Sequence, residues 1–442
     1  MKLWEGGLHK DHGWNATEPF VKRDIDAERQ LLKYEILSLI AYHLDLYEKR
    51  AIDRDESICI IHTLLYILRD PPSITIDYED AHTVVENAVE DRCGKLGHNL
   101  RLYLSRNEQV HNNVLMFTIE RTAKIVSDML QCIKVLENLE TDALLPGSTH
   151  FMPAMPISAR TYLNYIEESL AFHIKAIDHS VSIVSDLAYG YGSGYGSPFS
   201  GSLYTMAVML GLGQPHKNPM FAASLYQYVF TSVANSITQT AVFISRIAMD
   251  LIDYYRMGYV ALPDAFTTGS SLMPNKRNPD YLELLQGIAS LSMSNAVMIW
   301  STFLNKTSGY HRDFQIMKDS FVEFIDYFSD ALSHFKTLIE NIRFISNIQK
   351  LPDEIFATGN AWNAFKMKHD WRESYIDIGK MLKDGANIKP YEPENYIDVV
   401  EMQDLETIAE KYSDILKKWD NLIEKAEKFA EGISGNAEYK GP

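Results

Sequence analysis

The segment Thr268-Gly269-Ser270-Ser271-Leu272-Met273-Pro274-Asn275-Lys276-Arg277-Asn278-Pro279-Asp280 concentrates hydroxyls, two cations and a turn between two long apolar-periodic stretches. Thr, Gly and Ser make its first half mobile. Asn278, Pro279 and Asp280 read as an N-cap, a proline at the first helical position and an acid in the first turn, so a helix starts there. Lys276 then lies beside a helix N-terminus, where free N–H groups and the helix dipole favour an anion. Taken alone, the segment reads equally as a capped loop with a solvated basic pair. In Pro146-Gly147-Ser148-Thr149-His150 an imidazole that titrates near neutrality follows a turn; the plain alternative is a Thr-His pair capping a helix. Gly190, Gly192, Gly194, Gly196 and Gly201 are not a phosphate cradle, because no Lys-Ser/Thr follows and no strand precedes. They read as a flexible connection between long helices.

The elements that must position these residues are helical. Apolar residues recur at three-to-four spacing over about Arg160 to Leu187, Ala222 to Met257, Asp280 to Phe303 and Phe314 to Ile345, and alternating strand patterns are almost absent. These stretches exceed the usual mean of about 11–12 residues, which predicts an all-α fold, a long helical bundle. Ala241 to Ile252 and Leu282 to Trp300 are apolar nearly all round, so neighbours must bury them, other subunits included. Turn residues at Pro71-Pro72, Pro146-Gly147 and Leu351-Pro352 punctuate the chain. Residues 1–105 and 351–442 are expected to be smaller helical N- and C-terminal domains flanking a central bundle, 106–350. The last domain closes with an amphipathic helix from about Leu405 to Glu431.

A chain of 442 residues, 46% of them hydrophobic, can bury a large core, and its net charge of −17 argues against nucleic acid or an anionic membrane surface as a partner. An anionic small molecule would need a local cluster of cations. Cys59, Cys93 and Cys132 are odd in number and far apart, with no CxxC spacing. They are expected to be reduced thiols without metal. The start, MKLWEGGLHKDHGW, lacks an apolar h-region, and no membrane-spanning run is visible; the expectation is a cytoplasmic protein with no membrane association.

Gly269 to Pro279 resembles the GSSxMPxKxNP signature of the fumarase, aspartase and argininosuccinate lyase superfamily. Three further segments agree, in the expected order: Leu104 to Val110 resembles GRSRNDQV, Pro146 to His150 resembles PGYTH, and Ser308 to Lys318 resembles STYNKDLQEDK. The opening LWEGG is similar to LWGGRF, and Glu79-Asp80-Ala81-His82 to an EDxH element. The likeness spans about residues 1 to 345 and is nearest to argininosuccinate lyases.

The resemblance implies a fumarase/aspartase-like bundle that removes a proton from carbon beside a carboxylate and expels an amine, releasing fumarate. It makes Ser270 the general base and His150 the acid-side residue, oriented by Glu283. Lys276 and Asn278 would hold the developing dianion. Ser105, Arg106, Asn107, Thr149 and Ser271 fall at substrate-binding positions, Arg106 as the forked donor that a carboxylate fits. Tyr310, Gln315 and Lys318 match positions for the rest of the substrate. The resemblance further implies no cofactor, and a homotetramer whose sites combine motifs from three subunits.

Departures limit the substrate. Leu102-Tyr103-Leu104 replaces LHTG, Glu108 replaces Asp, and Phe151 to Ile157 replaces LQRAQPI, with Met152 and Met155 among the changes. Asn218 to Gln227 has lost the acidic and Arg-Asp positions of NSxDAxSDRD, with Tyr226 and Gln227 in their place. Argininosuccinate remains the leading substrate expectation, to be cleaved poorly unless Lys217 or Arg312 takes over a contact. The alternatives are another amine leaving group, adenylosuccinate-like or aspartase-like, or a silent crystallin-like homologue.

Overall fold

A computed structural model describes residues 18–76, 78, 80–197, 202–346 and 351–432. The LWEGG opening, Glu79 and Gly201 lie outside these residues. The chain begins with α1 (Glu18–Glu48), α2 (Arg54–Arg69), α3 (Ala81–Cys93) and the long α4 (Arg106–Asn138). A hairpin of β1 (Leu144–Thr149) and β2 (Met152–Ser158) leads into α5 (Ala159–Ser182), the short α6 (Tyr204–Leu210) and α7 (Pro219–Met257). Then come β3 (Val260–Ala261), β4 (Thr268–Gly269), β5 (Arg277–Asn278), α8 (Asp280–Thr302), α9 (Phe314–Asn341) and β6 (Arg343–Phe344). Helices α10 (Ala357–Lys368), α11 (Trp371–Lys383) and α12 (Met402–Glu431) close the chain.

The four long helices read from periodicity are α5, α7, α8 and α9. With α4 they form the central bundle, α7 lying along α8, α4 against α5 and α9, and α8 against α9. Local chemistry sets their ends. Asn218 caps α7 by accepting from the N–H groups of Met220 (3.0 Å) and Phe221 (3.2 Å), Pro219 occupies the first turn, and Gly258 ends the helix in the left-handed region at φ 80°. Helix α4 opens with a capping box: Ser105 Oγ accepts from Asn107 N, and the Glu108 carboxylate accepts from Ser105 N.

One continuous core joins all of this, from Leu31 and Ile40 on α1 through Phe230 on α7 and Phe321 on α9 to Trp419 and Leu422 on α12. Helix α12 packs back on α1, α2, α4, α5 and α6, whereas α10 and α11 pack mainly on each other. Helix α8 is different. It is the one described helix long and apolar enough to cross a membrane by length and composition, and only 33% of its apolar window is buried. Leu284, Met293, Val297 and Trp300 are 45–64% exposed in the single chain.

Three expectations need correction. Cys59 and Cys93 form a disulfide that ties α2 to the end of α3, while Cys132 is free and buried; residues far apart in sequence were brought together by the packing of the two helices. Asn278 is not the cap of α8. It lies in β5, paired with Thr268, and Pro279 takes the cap position without a side-chain hydrogen bond. The glycine-rich segment is not a loose connection, because Glu108 accepts the N–H groups of Gly190 and Gly192, both at 2.8 Å.

Candidate active site

The signature segment is a loop closed at its base by the β4–β5 pairing, Thr268 opposite Asn278 and Gly269 opposite Arg277. Arg277 braces it by donating to Asp264 and to Thr267 Oγ1 (3.2 Å), and Thr268 Oγ1 donates to the Asp280 carboxylate at the start of α8. Within the loop, Ser270 Oγ accepts from the main-chain N–H groups of Leu272 (3.2 Å) and Met273 (3.0 Å). Two amides aimed at one hydroxyl oxygen favour its deprotonated form, which is what a serine base requires. Ser271, Leu272, Met273 and Lys276 are exposed, Asn278 is half-buried, and Glu283 is exposed one turn into α8.

The second motif is the tip of the β1–β2 hairpin. Thr149 pairs with Met152, and the two residues between them, His150 (φ 53°) and Phe151 (φ 64°), both lie in the left-handed region. This two-residue connection has the geometry that Asn-Gly usually supplies, so two residues with Cβ atoms hold it at a cost of order 1–3 kcal/mol each. Gly147 is needed below the tip, since a Cβ there would stand 2.9 Å from Met155 O. Thr149 and His150 are exposed and Phe151 is 87% exposed. The hairpin therefore presents His150 on a strained, outward-pointing tip.

The remaining motifs meet inside the chain. Asn107, Tyr191, Tyr226, Gln227 and Tyr310 line one cavity of about 230 Å³ between the start of α4, the glycine segment, α7 and the turn before α9. Tyr191 donates its hydroxyl to Asn107 O at 2.9 Å. Gly192 is required here, because it has φ 61° and a Cβ would meet Gly196 O at 2.6 Å.

Other predicted binding residues have internal partners. Arg106 donates to Asp80 (2.7 Å), Glu86 (2.9 Å) and Thr83 Oγ1 (3.3 Å) on α3 and its cap, and Ser105 is the cap of α4. Buried Lys318 holds Asp24 at 2.8 Å and contacts Glu28, and Gln315 donates to Asp24 at 2.6 Å. Burial alone would depress the Lys318 ammonium, but the two carboxylates raise it well above the usual lysine range. Burial likewise raises the Glu28 carboxyl, outweighing Lys318.

Sequence reasoning missed Asp24 and Glu28. Their i, i+4 spacing on one face of α1 was the available signal. It also missed the buried His82–Glu35 pair, Nδ1 to Oε1 at 3.0 Å, and the two bonds of 2.7 Å that Glu35 accepts from Gln109 and Asn113 of α4. Through these, α1 and α3 fix the first turns of α4, and with them Asn107.

A family profile described as lyase matches residues 59–293. An argininosuccinate lyase of Parabacteroides distasonis is 29% identical over 402 residues, covering 88% of this chain and 89% of that protein. One of Thermotoga neapolitana is 27% identical over 389 residues, covering 85% and 96%. Among solved structures, EDDS lyase in complex with formate gives a TM-score of 0.75 at 15% identity, covering 95% of this chain and 96% of that one. The class II fumarase of Schistosoma mansoni gives 0.67 at 15% identity, covering 92% and 93%. The profile spans more than half of the chain, and the bundle matches these structures over nearly all of it: the chain belongs to the lyase family of the fumarase/aspartase superfamily.

Proposed function

We propose that this protein is a carbon–nitrogen lyase that cleaves an N-substituted aspartate by β-elimination, releasing fumarate and an amine. The observation that carries the reading is the loop 270–276, whose serine oxygen is held by two main-chain amides beside Lys276. Ser270 takes the proton from the carbon next to a carboxylate. Lys276 and the half-buried Asn278 stabilise the charge that then spreads into that carboxylate. His150 protonates or assists the departing nitrogen, with Glu283 orienting its ring. Thr149 and Ser271 hold the succinyl carboxylates, and Asn107 and Tyr310 face the amine.

Ser270, His150 and the cavity around Asn107 sit on different parts of one chain, and the first two lie on exposed projections. This supports a homotetramer in which each site is completed by loop, hairpin and cavity from different subunits, with the apolar face of α8 buried between copies. Argininosuccinate, yielding arginine, is the first substrate to test. The direct experiment is fumarate absorbance on incubation with a panel of N-substituted aspartates. Fumarate release from at least one member, lost in Ser270→Ala, is the expected result; no release from any member would reject the assignment.

A further inference from the structure

The extended segment between α11 and α12 lies against α5, and the two enclose a groove of about 740 Å³. Side chains of α5 hold the segment in place. The Asn164 amide accepts from Asp398 N (2.9 Å) and donates to Asp398 O (3.0 Å), and Thr161 Oγ1 accepts from Tyr396 N (3.1 Å). The volume lies in the range of small-molecule sites, about 300–1,000 Å³. None of the lining residues belongs to the loop 270–276, the hairpin tip or the cavity beside Asn107.

The lining selects the sign of a ligand's charge. Glu168 of α5 and Asp398 of the segment face the groove, neither forms an ion pair among the described residues, and no lysine or arginine lines it. Three aromatic residues, Tyr165, Phe172 and Tyr396, stand with them. Phe172 and Tyr396 are 65% and 68% exposed, so their rings are open to a ligand. Carboxylates attract a cation by charge and aromatic faces attract it by their quadrupole. An anion would be repelled by both acids.

The buried member of the lining is His173, 8% exposed, its ring 5.2 Å from Phe243 and 5.5 Å from Phe172. Its Nδ1 is buried and has no hydrogen-bond partner among the described residues. Burial lowers the imidazole, so the ring is neutral and keeps one acceptor nitrogen for an N–H donor. A buried polar atom left unpaired calls for such a partner.

We propose that this groove is a binding site for an organic cation, an ammonium or guanidinium on an apolar body, held by Glu168, Asp398 and the three rings, with His173 accepting an N–H. The ligand bridges α5 and the segment that leads into α12, so binding fastens the C-terminal region to the central bundle. The site is independent of the fumarate-releasing reading, because no residue of that chemistry takes part.

The test is calorimetric titration of the full-length protein with benzylammonium, and with phenylacetate as a similar ring of opposite charge. The expected result is saturable binding of benzylammonium that weakens with added salt, and none of phenylacetate. Glu168→Gln and Tyr396→Leu, at exposed positions and checked for folding by circular dichroism, should each weaken binding about three- to fivefold, what one exposed ion or cation–π contact is worth. The double variant should lose about tenfold or more. Equal binding of phenylacetate, or an unchanged affinity in either single variant, would overturn the proposal. No saturable binding by wild type, the result if a second copy covers the groove, would overturn it as well.

Discussion

The carboxylate of Glu108, in the first turn of α4, accepts the main-chain N–H of Gly192 at 2.8 Å. The same side chain accepts from Ser105 and Gly190, so one buried acid fixes both the start of α4 and the glycine segment that lines the cavity beside Asn107. Glu108→Gln should keep the shape but turn an N–H₂ group toward one of three main-chain donors. A loss of about 1–3 kcal/mol is expected for the unmatched buried group. Thermal unfolding reads it; an unchanged midpoint would show that the segment is held by other contacts.

His82 and Glu35 predict a pH window. Burial by itself would lower the His82 imidazole, but Glu35 and Asp80 raise it above its ordinary value. Burial would raise the Glu35 carboxyl, but His82 and Asn113 lower it. The raised imidazole contributes stability that is full below about pH 6.5 and is lost as pH rises through its folded value. The lowered carboxyl contributes above about pH 4.5 and loses its share as pH falls. The stability gap between wild type and His82→Gln should therefore be widest near pH 5.5 and shrink as pH rises through the raised His82 value. A gap that widens toward pH 9 would reverse the assignment.

Much of the bundle was legible because helical periodicity survives burial: α5, α7, α8 and α9 start and end within a few residues of the predicted stretches. The hairpin was not, because Pro146, Pro153 and Pro156 break the alternation that marks a strand, and because its tip uses His150 and Phe151 where Asn-Gly would have signalled a turn. The signature loop was read correctly as a loop, yet its cap was misplaced, since the backbone of Asn278 pairs with Thr268 instead. Asn107 and Tyr310 were found by resemblance and do line one cavity. The partners of Arg106 and Lys318 were invisible because they come from α1 and α3, hundreds of residues away in the second case.

The apolar face of α8 predicts assembly. Val297 is 61% and Leu284 is 64% exposed on a single chain. Wild type should sediment at about four times the 50.5 kDa chain mass, and Val297→Glu should shift it to smaller species with most of its activity lost. An active wild-type monomer would reject the shared-site arrangement.

The Cys59–Cys93 bridge spans 34 residues. Native thiol titration should find no reactive group among the three cysteines and one after unfolding without reductant, because burial raises the Cys132 thiol to about 12. Reduction should lower stability by up to about 4 kcal/mol on the loop-entropy relation. Three titratable thiols in the unfolded, unreduced protein would show that the pair is not bonded.

The most direct test of the central claim is the fumarate absorbance produced by wild type and by Ser270→Ala from the best N-substituted aspartate of the panel. The general-base role predicts that kcat falls by about 10²–10⁴-fold while substrate affinity is largely kept. Near-normal turnover by Ser270→Ala would contradict it.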